Sequence, residues 1–110
     1  MSNTAGLGEF EQLVMLAVLR LQSEAYGVAI RREIEGQTGR SVSRGAVYTT
    51  LDRLESKGLL SSVKSRDPAP RSGMARRYYQ VEPEGFDALN ETREALRSMW
   101  TGLEPLLGKL

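Results

Sequence analysis

The chain has 110 residues, with 40% hydrophobic and 26% charged side chains, the profile of one ordinary globular domain with a core of its own. It contains neither cysteine nor histidine, which removes disulfides, thiolate metal sites and the usual general base together, so no enzyme, no metal and no cofactor is expected. The formal net charge of +1 conceals an uneven distribution: one basic against three acidic residues in 1–30, eleven against five in 31–77, and three against six in 78–110. A basic middle between acidic ends is the pattern that attracts a polyanion.

In chain order, the first predicted element is a helix from Leu7 to Leu21. Phe10, Leu13, Val14, Ala17 and Leu21 recur on one helical face. Met15, Val18 and Leu19 widen that face, so the helix is expected to be largely buried. After a polar break at 22–25, a second helix is predicted from Tyr26 to Gln37, with Ala29, Ile30 and Ile34 inward and Arg31, Arg32, Glu33 and Glu35 outside. Gly36 and Gly39 are candidate C-caps. Ser41-Val42 reads as a short extended piece. Ser43 then caps a third helix, Arg44 to Lys57, whose inner face is Val47, Thr50, Leu51 and Leu54. Gly58 suits the position after its end, and Lys57 the negative end of its dipole.

Leu59 to Arg66 alternates as a strand. A loop rich in proline and glycine follows, and Arg76 to Glu82 returns as a second strand. Pro83 opens a last helix, along which Leu89, Leu96, Leu103 and Leu110 repeat every seven residues. Gly102 and Pro105 are expected to weaken or kink its last turns. The fold class is therefore α+β and mainly α: a winged helix-turn-helix over residues 7–82, followed by a C-terminal dimerisation helix over 83–110 in the same compact unit.

That layout carries a function. An α-helix fits the major groove of B-DNA, and a hairpin beside it can lay arginines on the phosphates. The candidate DNA-binding residues are Ser43, Arg44, Gly45, Tyr48, Thr49 and Arg53 on the third helix. Lys64, Arg66, Arg71, Arg76 and Arg77 are the candidates on the hairpin. Gly45 would let the backbone approach the groove, and Arg44 would read guanine or grip a phosphate. Acid pairs such as Asp52 with Glu55 read as solvated helix charges. The candidate dimer seam is Phe86, Leu89, Leu96, Met99, Trp100 and Leu103. Trp100, the only tryptophan, packs in the dimer core on one reading and stacks on a small flat effector on the other.

Three blocks carry a resemblance to a known family: Tyr26-Gly-Val-Ala-Ile30, the run from Ser43 to Leu59, and Gly73-Met-Ala-Arg-Arg-Tyr-Tyr79. Together they resemble the PadR family of bacterial transcriptional regulators over roughly residues 7–90. The resemblance implies a winged helix with a C-terminal dimerisation helix and repression of a nearby promoter. It places Tyr48 as the tyrosine of the recognition helix and Arg76, Arg77 and Tyr79 on the wing's returning strand. Thr49 stands where many relatives have proline, which bears on base preference. Val81-Glu82 stands where many have Leu-Thr, which bears on the start of the last helix.

The expected protein is a DNA-binding transcriptional regulator, a homodimeric repressor on an inverted-repeat operator that responds to a small planar molecule. The alternative is a winged-helix protein-interaction module without DNA binding. Met1 to Gly8 shows no secretory signal and no apolar run reaches membrane-span length, so a cytoplasmic location is expected.

Overall fold

A computed structural model describes residues 6–65 and 76–108. The chain runs α1 (Glu9–Leu21), a 3-10 turn (Gln22–Glu24), α2 (Gly27–Thr38), α3 (Arg44–Ser56), β1 (Leu60–Lys64), β2 (Arg77–Val81), α4 (Pro83–Trp100) and α5 (Glu104–Leu107). This is the winged helix expected. Arg66, Arg71 and Leu110, named above for the wing and the leucine repeat, lie outside the described residues.

α1 is the central element, packed against α2, α3 and β2. Val14, Met15, Ala17 and Val18 are buried, while Phe10, Leu13 and Leu21 are only partly covered. Burial thus spans a wide arc rather than the narrow stripe of the periodicity, because neighbours press on α1 from several sides. Its start depends on Glu11, whose Oε1 accepts the Gly8 N–H at 2.9 Å while Oε2 accepts Lys57 Nζ at 2.8 Å. Lys57 therefore binds a carboxylate on α1, a stronger tie than the dipole of its own helix.

α2 closes at Gly39, in the left-handed region at φ 72°, whose N–H donates to Glu35 O. Gly36, the other predicted cap, lies inside the helix. The extended piece at Ser41-Val42 forms no strand. The Val42 N–H donates to Glu35 Oε2 at 2.9 Å, so a side chain takes the donor that a sheet ladder would use. The hairpin gains its third neighbour elsewhere: Tyr26 bridges Tyr78, and the Tyr79 N–H donates to Ala25 O at 2.9 Å.

α3 starts as predicted, with Ser43 Oγ accepting the Ala46 N–H at 3.1 Å. Its inner face is the predicted Val47, Thr50, Leu51 and Leu54. It ends in a Schellman motif, Gly58 N–H to Glu55 O and Leu59 N–H to Leu54 O, with Gly58 at φ 77°. The hairpin pairs Leu60 with Val81 through Lys64 with Arg77, antiparallel. Its predicted alternation fails. Leu59 and Leu60 are both buried and Val63 is 67% exposed, because only the base of the hairpin is covered by other elements.

α4 seats its first turns on the domain through Gly85, Ala88 and Thr92. Thr92 Oγ1 accepts the Leu7 N–H at 3.2 Å. A Cβ at Gly85 would meet the Leu59 carbonyl oxygen, Val81 Cγ1 at 2.8 Å and Met15 Cε at 3.0 Å, so only glycine permits this approach. The predicted single last helix is instead two. α4 stops at Trp100, the chain turns through Gly102 at φ 88°, and Pro105 sits in the first turn of α5. The left-handed glycine makes the break, and proline at a helix start costs little. No helix among the described residues is long and apolar enough to cross a membrane.

Two outcomes follow for stability. Gly85→Ala is expected to cost about 1–3 kcal/mol by overpacking, read as a lowered urea midpoint at unchanged slope. Burial raises the Glu11 pKa, but the bonds from Lys57 and the Gly8 N–H outweigh it and hold the carboxyl below its ordinary value. A depressed carboxylate contributes stability above its unfolded pKa and loses it as pH falls through the folded value. Wild type should therefore lose stability relative to Glu11→Gln as the pH drops below about 4.5, the two curves converging in acid.

Candidate nucleic-acid interface

With Val47, Leu51 and Leu54 turned to the core, the helical period sends Gly45, Thr49, Asp52 and Ser56 most directly outward on α3. Arg44 and Tyr48 occupy the flank facing α2, and Arg53 the opposite one. Ser43, Arg44, Gly45, Tyr48 and Thr49 are all exposed and cluster at the N-terminal half of the helix. Arg53 stands apart from them, near enough to Glu11 for its charge to help lower that carboxyl's pKa.

Two glycines set how this helix sits. Around Gly45 nothing lies within 4 Å of an added Cβ, so its surface is open to an incoming partner. Around Gly27, at the start of α2, the space is taken: a Cβ there would overlap the Tyr48 ring. Tyr48 is thereby held over the α2 backbone while 40% of its surface stays exposed. Next in sequence, Tyr26 carries the Arg76 guanidinium 4.1 Å from its ring centroid and meets the Tyr78 ring edge-on at 5.6 Å. The hydrogen bond to Tyr78, then the nearby Tyr26, raises the Arg76 pKa and keeps it a cation.

The wing's other cations are arranged differently. Arg77 Nη1 donates to Ser62 Oγ at 2.9 Å, and Ser62 Oγ donates to Glu55 Oε2 at 2.7 Å, which ties the wing to α3. Lys64 stands directly across the ladder from Arg77 and has no ion pair among the described residues. Like charges facing each other across a ladder are unfavourable unless an anion screens them. Tyr79 stands on the wing's returning strand as expected, with its side chain buried; that burial, and then Glu55 and Asp52, raise its hydroxyl pKa.

Sequence reasoning assigned no role to Gly27, Arg31 or Arg32. The three line a small cleft with Arg44 and Tyr48. The Tyr26-Gly27 pair stood inside a resembling block, but its contact with Tyr48 spans two helices and shows in no local pattern. The arginines read as the wet face of α2; only the crossing of α2 over α3 sets them beside Arg44.

On the far side, Phe86, Leu96, Met99 and Trp100 are exposed and Leu89 is half-buried. A groove of about 470 Å³ runs between α1 and α4, lined by Leu16 and Leu19 on one wall and Phe86, Leu89, Leu96 and Trp100 on the other. Leu103, predicted in the same seam, lies beyond the break after Trp100.

Residues 15–91 match the model of the transcriptional regulator PadR-like family. The transcriptional regulator Rv3488 of Mycobacterium tuberculosis is 39% identical over 77 residues, covering 70% of this chain and 67% of that protein. Among solved structures, a PadR family transcription regulator from Clostridium difficile R20291 superposes with TM-score 0.67 at 30% identity, over 92% of this chain and 100% of that one. One from Eggerthella lenta gives 0.67 at 30%, over 93% and 88%.

The two glycines should respond oppositely to one methyl group. Gly45→Ala adds a helix-favouring residue in open space and is expected to raise stability by up to about 1 kcal/mol. Gly27→Ala must displace Tyr48 and is expected to cost about 1–3 kcal/mol. Adding Tyr48→Ala should recover part of that cost, a non-additivity that denaturation of the four proteins of the cycle would measure.

Proposed function

Because this chain belongs to the PadR-like family of transcriptional regulators, which bind DNA through a winged helix, we propose that it is a homodimeric repressor acting on an inverted-repeat operator. The observation that carries this reading is the exposed N-terminal half of α3. Arg44, Gly45, Tyr48 and Thr49 are exposed there, Arg44 has no carboxylate partner among the described residues, and Lys64 and Arg77 stand on the adjoining wing. In the major groove, Arg44 suits guanine and Thr49 a thymine methyl, while Gly45 lets the helix approach. Arg53, exposed on the opposite flank of α3, is the remaining candidate on this helix. Residues 7–82 then form the DNA-binding unit and 83–110 the dimerising segment. Acting on the chromosome, the protein works in the cytoplasm.

The groove between α1 and α4 supports the dimer. A row of exposed large apolar side chains on one helix is what a second copy would cover. A two-fold pair would set its recognition helices about 34 Å apart, one turn of DNA, and binding over a promoter would exclude polymerase. Trp100, 47% exposed at the end of that groove, favours a second use for the same face. A flat aromatic effector stacking there would change the dimer and hence the half-site spacing.

The tests are direct. DNA selected from a random pool should contain an inverted repeat, and binding should weaken steeply with salt. Arg77→Ala should reduce the salt slope by about one. Leu96→Glu should give a monomer by sedimentation and cost about a hundredfold or more in operator affinity, through loss of bivalency. A wild-type protein that binds no duplex but captures another protein would make this a protein-interaction module instead. Quenching of Trp100 fluorescence by planar aromatics, with release of operator, would support the effector role.

A further inference from the structure

The cations of this chain divide by their partners. Arg20 pairs with Glu33, Arg40 with Glu9, Lys57 with Glu11 and Arg97 with Glu94. Arg31, Arg32 and Arg44 have no such partner among the described residues, yet all three line one cleft of about 100 Å³ between the first turns of α2 and the start of α3. Gly27, Val28, Val47 and Tyr48 form its remaining walls. Three guanidinium groups on one small concavity repel each other, and among the described residues no carboxylate forms an ion pair with any of them.

We propose that this cleft is a socket for a single backbone phosphate of bound DNA, gripped by Arg31 and Arg32 from α2 and by Arg44 from α3. The chemistry favours a phosphate over other anions of duplex DNA's surroundings. Guanidinium forks match its oxygens in pairs. The cleft is too small for a base. The Tyr48 hydroxyl lies at its wall as a further donor. The first turn of α2 also has no side-chain cap, since Tyr26 makes no capping bond, so its positive end adds to the same field.

This inference rests on the DNA-binding reading and deepens it. A phosphate contact carries no sequence information, but it fixes register. Arg44 and Tyr48 belong both to the socket and to the leading edge of α3. A phosphate seated there would therefore set the angle at which Gly45 and Thr49 meet the bases.

The experiment begins with the selected operator duplex and full-length protein. Failure of the wild type to bind any duplex would sink the DNA reading itself. Given binding, Arg31→Ala and Arg32→Ala should each weaken operator and random DNA by the same factor, about tenfold, and lower the salt slope by about one. Their melting midpoints should stay unchanged or rise, because like charge is removed. Operator duplexes carrying one neutral methylphosphonate at each backbone position in turn locate the contact. One position should weaken the wild type by about tenfold and leave the Arg31 and Arg32 variants no weaker than they already are. If every methylphosphonate weakens the variants as much as the wild type, the socket holds no DNA phosphate. Losses confined to one base sequence would make the arginines base readers and overturn the assignment. Saturable binding of inorganic phosphate to the free protein, with no methylphosphonate effect, would assign the cleft to a free anion instead.

Discussion

Tyr48 occupies the space that a side chain at position 27 would need, so the tip of an α3 side chain lies directly on the α2 backbone. The same dipeptide reaches the wing, because Tyr26 takes Arg76 on its ring and bridges Tyr78 in β2. One short segment, Tyr26-Gly27, thus touches both the helix and the hairpin proposed to meet DNA. A two-stranded hairpin on its own is only marginally stable, so its aim depends on such anchors along its length: Tyr26 on Tyr78, the Tyr79 N–H on Ala25, and the Arg77–Ser62–Glu55 chain to α3.

Charge is sorted by the fold as well as by the sequence. The acidic N-terminal segment supplies Glu9 and Glu11, which bind Arg40 and Lys57 from the basic middle. Those two cations are thereby paired with carboxylates of α1. Among the described residues, the cations without an ion pair include Arg31, Arg32, Arg44 and Lys64, spread over α2, α3 and the wing. A segment total cannot make that distinction, since it weighs a cation paired across the core the same as one facing water. Exposed ion pairs contribute little to stability; their consequence here is to decide which cations remain for a partner.

The opposite surface follows a different logic. Gly85, Ala88 and Thr92 let the first turns of α4 lie close on α1 and the hairpin. Farther along the same helix, Leu96 and Trp100 are about half exposed and Met99 is 75% exposed. Small residues hold the helix down at one end and large ones are left uncovered at the other. This asymmetry supports a second copy as the cover more strongly than the seven-residue repeat does. The repeat continues through Leu103, whereas the helix does not.

Local patterns in the sequence determined a good deal. The Ser43 cap, the inner face of α3, the Gly58 terminus, Pro83 at the start of α4 and the weakness at Gly102 all follow from residue chemistry within a few positions of each other. What required tertiary structure was every feature in which distant segments compete for one group. Val42 gives its N–H to Glu35 rather than to a strand, Lys57 serves Glu11, and Val63 is exposed although the strand alternation set it on the same face as Leu59. Arg31 and Arg32 sit beside Arg44 only because α2 crosses α3. Spacing along the chain sets which face a side chain is on; only packing decides what that face meets.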